Sequence, residues 1–199
     1  MNPISIIRLL AVLVIASAFT ISGYYRRKAD QADEKQSFSS EHVWQMRFRV
    51  AGALGFYGGM LLWLIYPPLM GWSAIAAWPL ALRWAGLGLM ALMLPFIYWM
   101  FSNLATNITP TVTIRIEHQL VTSGPYRYIR HPLYTFGTML FTGFILIAGN
   151  WLLMLTAIVA LSALFLRTPQ EEAMLLERFG DEYRDYMVRT GRYLPKLGQ

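Results

Sequence analysis

LALRWAGLGLMALMLPFIYWMF, residues 80–101, holds a single charged side chain, Arg83, in twenty-two positions. The hydrocarbon core of a bilayer is about 30 Å thick, and a helix of roughly 20 apolar residues spans it. Inside lipid the backbone must satisfy its own hydrogen bonds, so a continuous apolar run of this kind is helical. Nothing in it alternates as a barrel strand does. This stretch sets the fold class: an all-α integral membrane protein.

Four more apolar stretches flank it, at residues 4–25, 50–66, 133–149 and 151–166. The first is as long as the central one. The last two are short and meet at Gly149-Asn150, the pattern of a tight helical hairpin. The expectation is about five transmembrane helices, the final pair either crossing fully or turning back before the far surface. Pro67, Pro68 and Gly71 mark a short turn after the second stretch. Ala16-Ser17-Ala18 has the small-residue pattern of a signal cleavage site, but the apolar run continues to Tyr25 and the basic cluster lies downstream. A retained helix is the better reading.

Composition agrees with a lipid-facing surface. The 199 residues are 56% hydrophobic and 14% charged, against about 25% charged in soluble domains, and mean hydropathy is +0.40. The net charge of +6 does not point to nucleic acid, because the cations flank apolar runs and form no basic aromatic stripe. They suit membrane lipid with anionic head groups instead. The chain has no cysteine, which removes disulfides, thiolate metal sites and cysteine nucleophiles. His42, His118 and His131 lack the spacing of a ligand set, and no metal is expected.

Orientation follows the cations. Arg26, Arg27, Lys28, Lys35, Arg47 and Arg49 separate the first two stretches. Arg115, Arg127 and Arg130 separate the third and fourth, and Arg167, Arg178, Arg184, Arg189, Arg192 and Lys196 follow the fifth. With five crossings these segments share one side. The chain is then multi-pass, with its N-terminus out and its C-terminus cytoplasmic.

The residues that could carry chemistry gather in segments 117–134 and 167–195, on that same side. They divide the chain into residues 1–116, membrane helices and connecting loops, and residues 117–199, a chemistry-bearing region that includes the last hairpin. In the first segment Gly124-Pro125 marks a turn, and Pro132 suits the first turn of a helix while holding His131 extended. In the second, Thr168 and Glu171 have capping-box spacing, with Pro169 as a first helical residue. Leu176, Phe179, Tyr183 and Tyr186 give an apolar face, broken near Gly180. Read locally, Glu171 is a capping residue and Arg167 a snorkelling side chain.

Together the two segments are more specific. Leu120-Val121-Thr122-Ser123-Gly124, Tyr126, Arg130-His131-Pro132-Leu133-Tyr134, Arg167, Glu171-Glu172, Phe179-Gly180-Asp181-Glu182-Tyr183 and Leu194-Pro195, in this order and spacing, resemble the isoprenylcysteine carboxyl methyltransferase family, here its prokaryotic-type members. The resemblance covers residues 117–196. It implies a cytoplasmic C-terminal cofactor pocket that takes S-adenosylmethionine, built without the glycine-rich strand-to-helix turn of a Rossmann fold. It places cofactor contacts on His118, Gln119, Leu120, Val121, Tyr126, His131, Pro132, Leu133, Tyr134 and Glu171. It makes Arg167 the substrate-binding arginine and, with Glu171, a catalytic residue. The implied reaction is methyl transfer to a lipophilic acceptor, the carboxylate of an isoprenylated cysteine or an analogous lipid-linked carboxylate. The residues leave other readings open: an N-methyltransferase acting on a phospholipid head-group amine, an NADPH-dependent membrane reductase, and a non-catalytic membrane scaffold or transporter.

Overall fold

The computed structural model describes residues 2–30, 43–104 and 120–196. They form six α-helices: α1 (Pro3–Asp30), α2 (Val43–Ile65), α3 (Leu80–Leu104), α4 (Pro132–Ala148), α5 (Trp151–Phe179) and α6 (Asp181–Arg189), with 3₁₀ turns at Pro67–Ser73 and Gly124–Arg127. Among the described residues there is no strand, only two isolated bridges. Four helices are long and apolar enough to cross a membrane, over Pro3–Lys28, Trp44–Ile65, Leu80–Leu104 and Trp151–Phe179. The remaining apolar stretch, fourth in chain order, is α4, at 17 residues shorter than these. The chain is an all-α membrane protein.

Several helices run past their apolar stretches, α1 and α2 among them. Asn2 caps α1, its Oδ1 accepting the Ile4 N–H at 2.7 Å, and the helix continues through Arg27 and Lys28 in its last turn. Cations there complement the negative end of the helix dipole. Likewise α2 starts at Val43, so Arg47 and Arg49 sit on helix and not in a loop. Long basic side chains let a helix run on past the apolar layer, because the stem lies along apolar surface while the head reaches water.

The described residues group into two compact units. The first takes residues 1–17, 42–94 and 137–166. Its core joins Ile7 and Ala11 of α1, Phe56, Met60 and Trp63 of α2, Leu87 and Met90 of α3, Phe144 and Ile147 of α4, and Leu153 and Ala157 of α5. Lipid offers no hydrophobic force between helices, so close contact through small residues does the work. Gly52 of α2 lies against the Ala160 backbone of α5, where a Cβ would come within 2.8 Å of its Cα. Gly86 of α3 meets the Gly143 backbone of α4 more closely still. Between α4 and α5, Gly149 turns the chain at φ +58°, a conformation glycine adopts without strain. The last carbonyls of α4 find donors in Trp78 Nε1, 2.8 Å from the Leu146 oxygen, and Arg83 Nη1, 3.0 Å from that of Ala148.

The second unit takes residues 18–41, 95–136 and 167–199. In it Tyr25 of α1 stacks on Phe101 of α3 at 6.1 Å between ring centres. Here local sequence reading needs one correction. Thr168 and Pro169 do not start a helix; they lie inside α5, which runs unbroken from Trp151 to Phe179. The capping signal loses to packing: Thr168 is fully buried, and its hydroxyl accepts the Tyr193 O–H at 2.7 Å. The break expected near Gly180 is present, at φ +54°, and α6 follows with Tyr183 and Tyr186 buried.

Candidate functional site

Within the second unit, a short bridge fixes the geometry. Arg130 and His131 precede α4 and donate their N–H groups to the carbonyls of Gly191 and Arg192, at 2.8 and 3.0 Å. This pairing holds residues 130–131 extended, as Pro132 requires of its predecessor. The His131 carbonyl accepts from the N–H groups of Tyr134 and Thr135 at 3.1 and 3.2 Å, so His131 starts α4. Its imidazole lies nearly parallel to the Tyr134 ring, 5.4 Å between centres.

Opposite stand Glu171 and Glu172 of α5. Successive helical residues diverge by about 100° around the axis, so these carboxylates serve different neighbours. Both Glu171 oxygens lie 2.7 Å from the Tyr134 hydroxyl, and Oε1 lies 3.0 Å from Arg167 Nε, one turn earlier on α5. Glu172 meets Arg130, with Nε at 3.0 Å and Nη2 at 2.9 Å from its Oε1, while its Oε2 accepts from Arg192. His131 reaches both: Nε2 is 3.3 Å from Glu172 and Nδ1 is 3.7 Å from Glu171.

The two carboxylates differ in how fully they and their partners are satisfied. Glu172 is almost wholly buried and has three partners of positive or protonatable character. The Arg192 guanidinium is pushed further above its ordinary value by its bond to Glu172. Around Glu171 the balance is looser. The Arg167 side chain is only 9% exposed, yet its Nε, buried, makes no aligned hydrogen bond. Its Nε is close enough to Glu171 for an ion pair but poorly directed. A guanidinium carries five N–H donors in a rigid fork, and of these the Nε donor is left unmet.

Of the residues picked out from sequence, the structure brings Arg167, Glu171, His131 and Tyr134 into one cluster. Pro132 is fully buried at the head of α4, whereas Leu133 beside it is exposed. Leu120 and Val121 are half-buried, outside these polar contacts. Tyr126 joins through its backbone, its carbonyl accepting the Tyr186 O–H at 2.6 Å. Burial pushes the phenols of Tyr126, Tyr183 and Tyr186 well up, which keeps them neutral. His118 and Gln119 lie outside the described residues. Sequence reading missed Glu172, Arg130, Arg192 and Tyr193 as partners. No local spacing links Arg192 to Glu172, twenty positions away; the signal was only that both fell in matched or adjacent motifs.

Residues 81–182 match the model of a family described as phospholipid methyltransferase. The chain is also similar to protein-S-isoprenylcysteine O-methyltransferase of Schizosaccharomyces pombe, 35% identical over 82 residues. That match covers 41% of this chain and 35% of the yeast protein; it thus spans about a third of the relative's length.

Proposed function

The chain belongs to the phospholipid methyltransferase family, and on that premise we propose that it transfers a methyl group from S-adenosylmethionine to a carboxylate on a lipophilic acceptor. An isoprenylated cysteine or an analogous lipid-linked acid has the right chemistry. The observation that carries this reading is Arg167, a buried guanidinium beside Glu171 whose Nε makes no aligned hydrogen bond. A planar fork in that state suits a carboxylate, which it can grip through two parallel N–H···O bonds.

The cluster also fits the cofactor. S-adenosylmethionine, when bound, supplies an electrophilic methyl on a cationic sulfonium sulfur. Glu171 offers negative charge to a cationic ligand, and the parallel rings of His131 and Tyr134 offer the π-faces that cations favour. In the transfer, an acceptor oxygen bonds to the methyl carbon as the carbon–sulfur bond breaks. A carboxylate, with a reference pKa of about 3.3–3.7 for an α-carboxyl, is already ionised and gives up no proton. The residues therefore need only align the reactants and exclude water. Arg167 orients the acceptor, while Glu171 and the first turn of α4 hold the methyl donor. A lipid tail reaches the site from the bilayer and the cofactor from the cytoplasm, with the N-terminus outside.

Arg167 also weighs against an amine acceptor. An ammonium would be repelled by the adjacent guanidinium, and Glu171, the nearest base, already faces Tyr134 and Arg167. Calorimetry on the detergent-solubilised protein, with S-adenosylmethionine and NADPH in parallel, tests the reading. Saturable S-adenosylmethionine binding, weakened in Glu171→Ala, is expected. NADPH binding alone would turn the assignment to a reductase, and binding of neither by folded protein to a non-enzymatic role.

A further inference from the structure

Glu172 faces away from Arg167 and Tyr134, so methyl transfer as proposed above does not use it directly. It is nevertheless among the most deeply buried charges described, at 3% exposed. Its partners come from two places far apart in sequence: Arg130 and His131 ahead of α4, and Arg192 after α6. Burying a carboxylate is expensive unless its lone pairs are met, and here three side chains meet them. The same chain segment is tied down by four further hydrogen bonds. The Gly191 and Arg192 carbonyls accept from Arg130 and His131. The Tyr193 carbonyl accepts the Thr135 hydroxyl at 2.8 Å, and the Tyr193 hydroxyl donates to Thr168 at 2.7 Å. The Tyr193 ring stands 5.9 Å from the His131 ring, on a tilt.

We infer that Glu172 is a positioning residue for the methyl-donor site, acting as a latch that clamps residues 191–193 against residues 130–135 and thereby fixes the His131 ring beside Glu171. The inference rests on the methyl-transfer reading, since it assigns His131 and Tyr134 to the site being positioned. The latch has two arms of different exposure. The Arg130 arm is buried and holds the fold as well; the Arg192 arm, 44% exposed, can be removed while Arg130 still pairs with Glu172. Removing Arg192 frees residues 191–193 and lets His131 move, without leaving Glu172 alone.

The experiment compares the full chain in detergent with Arg192→Ala, Arg192→Lys and Glu172→Gln, reading S-adenosylmethionine affinity by calorimetry and backbone protection by hydrogen exchange. In Arg192→Ala the Arg130 and His131 amides should exchange faster while α2 keeps its protection. Affinity should fall on the order of tenfold, mid-range for groups coupled in one ion-pair network. Arg192→Lys should recover most of it. Glu172→Gln should lose at least as much, and should it fail to fold, the two Arg192 variants decide alone. Lost protection with unchanged affinity would show a clamp that positions nothing and would overturn the inference. So would protection and affinity both unchanged. If the wild-type chain binds no S-adenosylmethionine, the functional reading falls and takes the positioning role with it, while exchange still reports whether the clamp forms.

Discussion

Helix α5 carries buried polar groups at its start and again in its second half, and the two places follow opposite rules. At its start Asn150 is 1% exposed and uses everything it has. Its Oδ1 accepts the N–H groups of Leu152 and Leu153, each at 3.1 Å, and its Nδ2 donates to the Met70 carbonyl and the Ser73 hydroxyl at 3.1 and 2.9 Å. A neutral side chain thereby caps one helix and ties down the Pro67–Ser73 turn. Residues 167–172 bury charges beside the neutral Thr168, and one of these charges, Arg167, leaves its Nε without an aligned hydrogen bond. Buried polar groups cost stability unless satisfied. Asn150 thus belongs to the architecture, whereas Arg167 keeps one buried donor open, as the ligand-binding role proposed above requires.

The sharpest way to break this contrast is Arg167→Ala. Turnover should fall about a hundredfold, roughly 2.7 kcal/mol of lost alignment in the transition state, with cofactor binding and thermal midpoint nearly unchanged. A collapse in stability would mean that Arg167 is architectural like Asn150. Asn150→Ala should do the converse and destabilise the protein by about 2 kcal/mol, combining a lost cap with buried partners left unmet. Activity per folded molecule should survive, and its disappearance at full stability would erase the distinction. Glu171→Ala comes next: S-adenosylmethionine affinity should drop roughly tenfold, about 1.4 kcal/mol. An unaltered dissociation constant would remove Glu171 from the cofactor site.

The same contrast explains what could be read in advance. The apolar runs announced the helices because lipid leaves the backbone no alternative, and Gly149-Asn150 announced the hairpin because its turn needs those residues. His131, Tyr134, Arg167 and Glu171 were legible through the order of their motifs, and the structure places them within bonding distance. Arg192 and Tyr193 were not legible as partners of Glu172 and Thr168, because the contact depends on how the chain returns after α6. Local rules misled at Thr168 and Pro169, where a well-formed start signal sits in mid-helix. Capping is worth about 1 kcal/mol, and burial of Thr168 beneath Tyr193 outweighs it.

That failed signal supplies the smallest test. Were Pro169 a first helical residue, Pro169→Ala would bring no gain, because proline is well suited to that position. In the interior of α5 the proline has no N–H for the preceding turn, and alanine restores a donor at a position spanned by the Arg167–Glu171 pair. The helix should gain stability, by about 1 kcal/mol once the greater freedom of the unfolded chain is set against the new bond. Because the proline lies between Arg167 and Glu171, restoring the missing hydrogen bond should also shift their separation and lower turnover several-fold, the usual exchange between stability and activity. A higher thermal midpoint with slower turnover would tie the hydrogen bond missing at Pro169 to the chemistry of this half of α5. An unchanged or lower midpoint would restore Thr168-Pro169 as a helix start, and the contrast between the two parts of α5 would lose its structural basis.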